Sequence, residues 1–151
     1  MKCKVFLLNF LLGIGLLVGC SSEVNEKYTV VSDTLVALTE FNFDATKTWD
    51  DYFNVFKDKI NGLVTDALYQ EMLQVGAPTY AIKTVMDYEA SIKVESIKIE
   101  PEWAEERKVG YSLTVNAVLE NKEKTPYQHH YRISIEKVDE KWVVYDLKFV
   151  K

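Results

Sequence analysis

Val109-Gly110-Tyr111-Ser112-Leu113-Thr114-Val115-Asn116-Ala117-Val118-Leu119 is the stretch that decides the fold. Val109, Tyr111, Leu113, Val115, Ala117 and Leu119 share one parity, while Ser112, Thr114 and Asn116 take the other. Successive side chains of a strand point to opposite faces, so this spacing makes one face apolar and one polar. Such a strand belongs to an antiparallel sheet packed on one side and wet on the other. Downstream, Asn121 to Pro126 is a polar turn. Tyr127, His129, Tyr131, Ile133 and Ile135 then alternate with Gln128, His130, Arg132, Ser134 and Glu136. Asp139-Glu140 reads as a tight turn into a last strand carrying Val143, Tyr145, Leu147 and Phe149. Upstream, Ile92 and Val94 have one parity and Ile97 and Ile99 the other, which predicts a β-bulge near Glu95-Ser96. Pro101 is expected to end that strand, and Glu102 to Lys108 to form a charged loop that holds Trp103.

Before Asp87 the apolar period is helical. Tyr28, Val31, Leu35 and Leu38 recur at steps of three and four, predicting a helix over roughly 26–42. Thr48 followed by Asp51 resembles a capping box, and Trp49, Tyr52, Phe53, Phe56 and Ile60 form one stripe behind it. Thr65-Asp66 opens a third helix with Leu68, Met72 and Val75 on one face, stopped by Gly76 and Pro78. Thr79 to Asp87 reads as ambiguous, at most a short helical turn. Helices first and a meander of about four strands after them give an α+β domain, with the helices packed on a curled antiparallel sheet.

The first twenty residues carry an address. A basic start, Met1-Lys2-Cys3-Lys4, precedes an apolar run from Val5 to Val18, and then Leu17-Val18-Gly19-Cys20 gives way to Ser21-Ser22-Glu23. This resembles a bacterial lipoprotein signal peptide with its lipobox, which implies cleavage before Cys20, acylation of Cys20, and a membrane anchor at the extracytoplasmic face. The apolar run is shorter than the roughly 20 residues a membrane span needs. The division expected is 1–19 signal peptide, 20–25 lipidated tether and 26–151 a single domain. Extended, Ser21 to Asn25 reach at most about 17 Å, which places the domain close to the bilayer.

Without the signal the chain holds 16 Lys and Arg against 23 Asp and Glu, a net charge of −7. That balance argues against nucleic acid, whose binding rests on neutralised phosphates. Cys3 leaves with the signal and Cys20 is taken by acyl chains, so no thiol remains for a disulfide, a zinc site or a nucleophile.

The run Leu63-Val64-Thr65-Asp66-Ala67-Leu68-Tyr69, the long strands after it and the closing Glu140-Lys141-Trp142-Val143-Val144-Tyr145-Asp146 resemble the nuclear transport factor 2-like, or cystatin-like, roll. Within that fold, membrane-tethered bacterial members resemble the scaffold subunit of type IV secretion and conjugation machines. The resemblance implies a domain without a catalytic role that works by contact with envelope proteins. This chain departs from the pattern in carrying a lipobox where the usual member has a transmembrane helix.

Few residues offer chemistry. His129 and His130 are neighbours on a strand and face opposite ways, so they do not share a metal. His130 shares the polar parity and is expected in solvent. His129 shares the apolar parity with Tyr131, and with Tyr111 on the neighbouring strand; the three are candidates for a pocket, either as a satisfied core cluster or as a ligand site. Asp44, Asp50 and Asp51 lack the glycine and the spacing of a calcium loop, and capping accounts for the last two. The stripe Trp49, Tyr52, Phe53 and Phe56 reads as core. Trp103, set among charges, is the candidate protein-contact residue. No cofactor, metal or catalytic group is expected. The favoured function is a lipid-anchored interaction module in a conjugation or secretion complex; the alternative is a binder of small apolar ligands, or an enzyme, using a pocket between helices and sheet. A third reading, an immunity or exclusion factor that restrains a partner in cis, is not separable from the first by sequence.

Overall fold

The computed structural model describes residues 22–150. The expected signal peptide and the acylation site Cys20 therefore lie outside the described residues. The first helix, α1, covers 22–39. Residues 22–25, expected as an extended tether, are helical. It buries Val30, Val31, Leu35 and Leu38, while Tyr28 stays partly exposed. It stops three residues earlier than the periodicity suggests because Phe41 is recruited elsewhere. Its carbonyl accepts the Ile92 amide at 2.9 Å, and its ring is buried against Tyr52 at 6.4 Å.

Helix α2 (Trp49–Ile60) begins with the expected capping box: the Thr48 amide donates to the Asp51 carboxylate at 2.7 Å and the Asp51 amide to Thr48 Oγ1 at 3.3 Å. Its stripe buries Tyr52, Phe56 and Ile60 and leaves Trp49 at the surface. Helix α3 (Asp66–Val75) is capped by Thr65 and closed by Gly76 at φ 65, a conformation that suits a residue without a Cβ. Leu68 and Met72 point inward, but Val75, expected on the same face, is exposed. The ambiguous stretch is a full helix, α4 (Thr79–Tyr88), that buries Ala81, Ile82 and Val85.

Four strands follow in the order β1-β2-β3-β4, each antiparallel to the next, so β1 and β4 are the edge strands and the sheet does not close. They are β1 (Ile92–Ala104), β2 (Lys108–Leu119), β3 (Thr125–Val138) and β4 (Lys141–Val150). The apolar parity of β2 is buried throughout under the helices. The connection between α2 and α3 is sewn to the far edge: the Thr65 amide donates to the Val144 carbonyl and the Val144 amide to the Leu63 carbonyl, both at 2.8 Å.

The register of β1 shifts between Val94 and Ser96, where the parity flip predicted a bulge. Pro101 does not end the strand. As an edge strand β1 tolerates a residue without an amide proton, and it continues through a second bulge to Ala104. Trp103 is thus a strand residue paired with Gly110, not a loop residue. A further bulge at Tyr145 was not foreseen; Trp142 and Val144 face the core before it and Leu147 lines the helix-side face after it.

Asp139 and Glu140 turn β3 into β4 with φ of 46° and 65°. Both positions are left-handed, the demand of a type I′ hairpin, and neither is glycine. Glu140→Gly should raise stability by about 0.5–1 kcal/mol by relieving the left-handed side-chain clash. Urea unfolding checks this; a loss of stability would show that the Lys137–Glu140 ion pair outweighs the backbone gain.

Candidate functional site

A cavity of about 610 Å³ opens between helices and sheet where α1 ends. Leu38 and Thr39 come from α1, Ala77, Tyr80 and Ala81 from the turn into α4 and its first residues. The sheet contributes Tyr127, His129 and Tyr131 of β3 with Leu147 and Phe149 of β4. Their convergence follows from register. Residues 127, 129 and 131 share a face, and Tyr131 lies directly opposite Phe149.

His129 sits at the centre of a ring cluster. Its centroid lies 5.3 Å from Tyr127, 5.5 Å from Phe149, 5.9 Å from Tyr80 and 6.2 Å from Tyr131. The contacts to Tyr80, Tyr127 and Phe149 are edge-on, the arrangement that aromatic quadrupoles favour. Burial, reinforced by neighbouring His130, lowers the His129 pKa below the ordinary imidazole value. Burial likewise raises the phenols of Tyr127 and Tyr131. The Thr39 hydroxyl beside Tyr131 pulls that phenol the other way, although it forms no well-directed hydrogen bond. Thr39 Oγ1 and Tyr127 Oη are in fact both buried without a partner. An unmet buried hydroxyl costs about 1–3 kcal/mol. The lining holds an imidazole, phenols and one aliphatic hydroxyl, but no carboxylate, amine or thiol.

Two of the three pocket residues expected from sequence, His129 and Tyr131, meet here. Tyr111 does not. It shares the face, but its partner on β3 is Ile133, and His129 pairs with Val115, four residues and about 14 Å along β2. Tyr111 is buried under the other end of α1, its ring 5.8 Å from Tyr28, and that burial raises its pKa. Tyr80, Tyr127 and Phe149 were missed as site residues. The parity of Tyr127 with His129 was readable; Tyr80 lay in the stretch whose helix was not.

The opposite face of the sheet is polar. Thr114 Oγ1 lies 3.1 Å from His130 Nδ1, and Asn116 links Ser96 at 3.0 Å to Gln128 at 2.7 Å. Trp103 packs on this face over Gly110. A Cβ on Gly110 would fall 2.1 Å from its indole nitrogen, so the glycine is the seat of the ring. Arg132 and Glu102 pair beside it at 3.1 Å. Asp44 and Asp51 are occupied by Thr46 and Thr48, whose hydrogen bonds lower both pKa values.

The chain is similar in fold to a type IV secretion system protein. The structure is that of an IcmL-like type IV secretion system protein from Legionella pneumophila, with a TM-score of 0.50 and 10% identity over 81% of this chain and 88% of that one. CagV of Helicobacter pylori, a VirB8 homolog, superposes with a TM-score of 0.49 at 10% identity, covering 82% of this chain and 98% of that one. No protein-family model matches the sequence, and no curated protein matches it. At this identity the likeness carries the α+β architecture and not a shared activity.

Two measurements follow. Gly110→Ala should destabilise the domain by about 1–3 kcal/mol through overpacking, and the loss should shrink when Trp103→Ala is added, in a double-mutant cycle of thermal unfolding. Equal losses with and without the indole would mean the ring is not seated on Gly110. Second, because the His129 pKa is lowered on folding, the unfolded chain binds more protons as pH falls below 6.5. Stability from this group is therefore complete above pH 6.5 and is lost as pH falls through the folded value. His129→Phe should flatten the unfolding midpoint between pH 7 and 5, and the His129 ring protons should titrate below 6.5 by NMR.

Proposed function

We propose that this chain is a lipid-anchored envelope protein, held through Cys20 at the extracytoplasmic face, that acts by protein contact as a non-catalytic component of a secretion or conjugation assembly. The observation that carries the reading is the fold likeness to the IcmL-like secretion protein over most of both chains, joined to the lipobox Leu17-Val18-Gly19-Cys20. No described helix is long and apolar enough to cross a membrane, and acyl chains on Cys20 would supply the attachment. Each buried methylene contributes about 0.8 kcal/mol, so more than one chain is needed for a durable hold.

The start of α1 gives this anchor an orientation. Lys27 lies 4.4 Å above the Trp142 ring, and Glu23 is 3.9 Å from Lys137, so the beginning of the helix lies beside the β3–β4 hairpin. Since the helix already runs at residue 22, Cys20 is at most about 7 Å of chain away from it. Trp103 pairs with Gly110, and Lys108 with Glu136, at this same end of the sheet. On this reading the exposed indole stands close to the bilayer, within reach of an integral membrane partner.

In-cell crosslinking of the lipidated protein, with a photoreactive residue at Trp103 and mass spectrometry of the products, tests the proposal. Integral membrane subunits or an ATPase should be recovered, and Trp103→Ala should weaken the complex by about thirtyfold or more if the indole is an interface anchor. Recovery of only lipid and bulk envelope protein would overturn the assembly role, and Cys20→Ser that stays in the membrane fraction would overturn the anchor.

A further inference from the structure

We propose that the cavity between α1, α4 and strands β3 and β4 binds a small, electrically neutral molecule that carries an aromatic ring. This stands on the cavity and not on the secretion reading.

The size comes first. About 610 Å³ falls in the range of small-molecule sites, roughly 300–1,000 Å³, and exceeds what a single side chain of a partner would fill. The shape is a half-ring of π faces. Tyr80, Tyr127, Tyr131 and Phe149 surround His129 within 6.2 Å, a lining that favours a flat ring by stacking and edge contacts. The charge is settled by what the lining lacks. With no Asp, Glu, Lys or Arg among the lining residues, a charged guest would lose its water without gaining a counter-ion, and a neutral one loses little.

The mouth supplies the last argument. Val75, Tyr80 and Phe149 line the cavity yet are 72%, 67% and 54% exposed, apolar area that a seated molecule removes from water.

The test uses the full chain in nanodiscs, with empty discs as the blank, and three probes of one size: 2-naphthol, 2-naphthoate and 2-naphthylmethylammonium. Binding is read from methyl NMR shifts of Ala81 and Leu147. 2-Naphthol should give saturable shifts, and the two ions should bind at least tenfold more weakly. Ala77→Phe, which puts a ring into the cavity, should abolish the shifts. Should that variant fail to fold, Tyr80→Ala with Phe149→Ala removes two exposed rings of the lining and should weaken 2-naphthol at least fivefold. Absence of saturable shifts, equal or tighter binding of either ion, or an affinity for 2-naphthol indifferent to the loss of both rings would each overturn the proposal.

Discussion

Every apolar side chain of β2 from Val109 to Leu119 on its inward parity is buried, and the need to cover that face governs the rest of the molecule. A sheet with one apolar face is not stable alone in water; something must remove the face from solvent. Here α1 crosses it. From Tyr28, beside Tyr111, to Thr39 is eleven residues, about 16 Å of helix. From Tyr111 to Val115, which pairs with His129, is about 14 Å of strand. The helix thus spans the sheet from the buried Tyr111 to the edge of the cavity and no further. Where its cover stops, the cavity begins.

The rest of the cover is held by main-chain bonds rather than by further long helices. Phe41 gives its carbonyl to Ile92 on one edge of the sheet, and the residues between α2 and α3 exchange two bonds with Val144 on the other. Both ties join the helical layer to an edge strand. Open edges are a liability for a sheet, and these bridges occupy part of each one while fixing the helices in place.

The features read correctly from sequence were those in which polarity and geometry coincide. The bulge after Val94 was visible because Ile92 and Val94 yield to Ile97 and Ile99 on the other parity, with charged or small residues between. The bulge at Tyr145 was hidden because Trp142, Val143, Val144 and Tyr145 are all apolar or aromatic, so no alternation marks which side faces in. Pro101 misled for a related reason. Its missing donor forbids a central strand, but sequence does not say which strand lies at an edge. Thr79–Tyr88 was obscured by the adjacent Gly76 and Pro78, which end one helix and begin the next with barely a connection. In the site, parity was enough to bring His129 and Tyr131 to one face, but not to say where along that face Tyr111 would fall. That depended on the pairing register, which aligned His129 with Val115. Tyr80 arrives from a separate helix, and no local pattern connects it to β3.

The two candidate regions lie at opposite ends of one sheet. Trp103 sits on Gly110 beside the β3–β4 hairpin, while His129 is nine residues, about 30 Å, from Val138 at the start of that hairpin. They also lie on opposite faces, the indole on the polar side and the imidazole under the helices. A strand with period two keeps such faces separate by construction, because no side chain changes sides without a bulge. Contact at the indole therefore need not disturb the cavity through shared side chains. What the two ends do share is the backbone of β2 and β3, paired without a break from Lys108–Glu136 to Leu119–Thr125. Helix α1 joins them as well, running from Lys27 over the Trp142 ring at the hairpin end to Leu38 and Thr39 in the cavity wall, so the helix and the ladder are two routes by which the ends are mechanically connected.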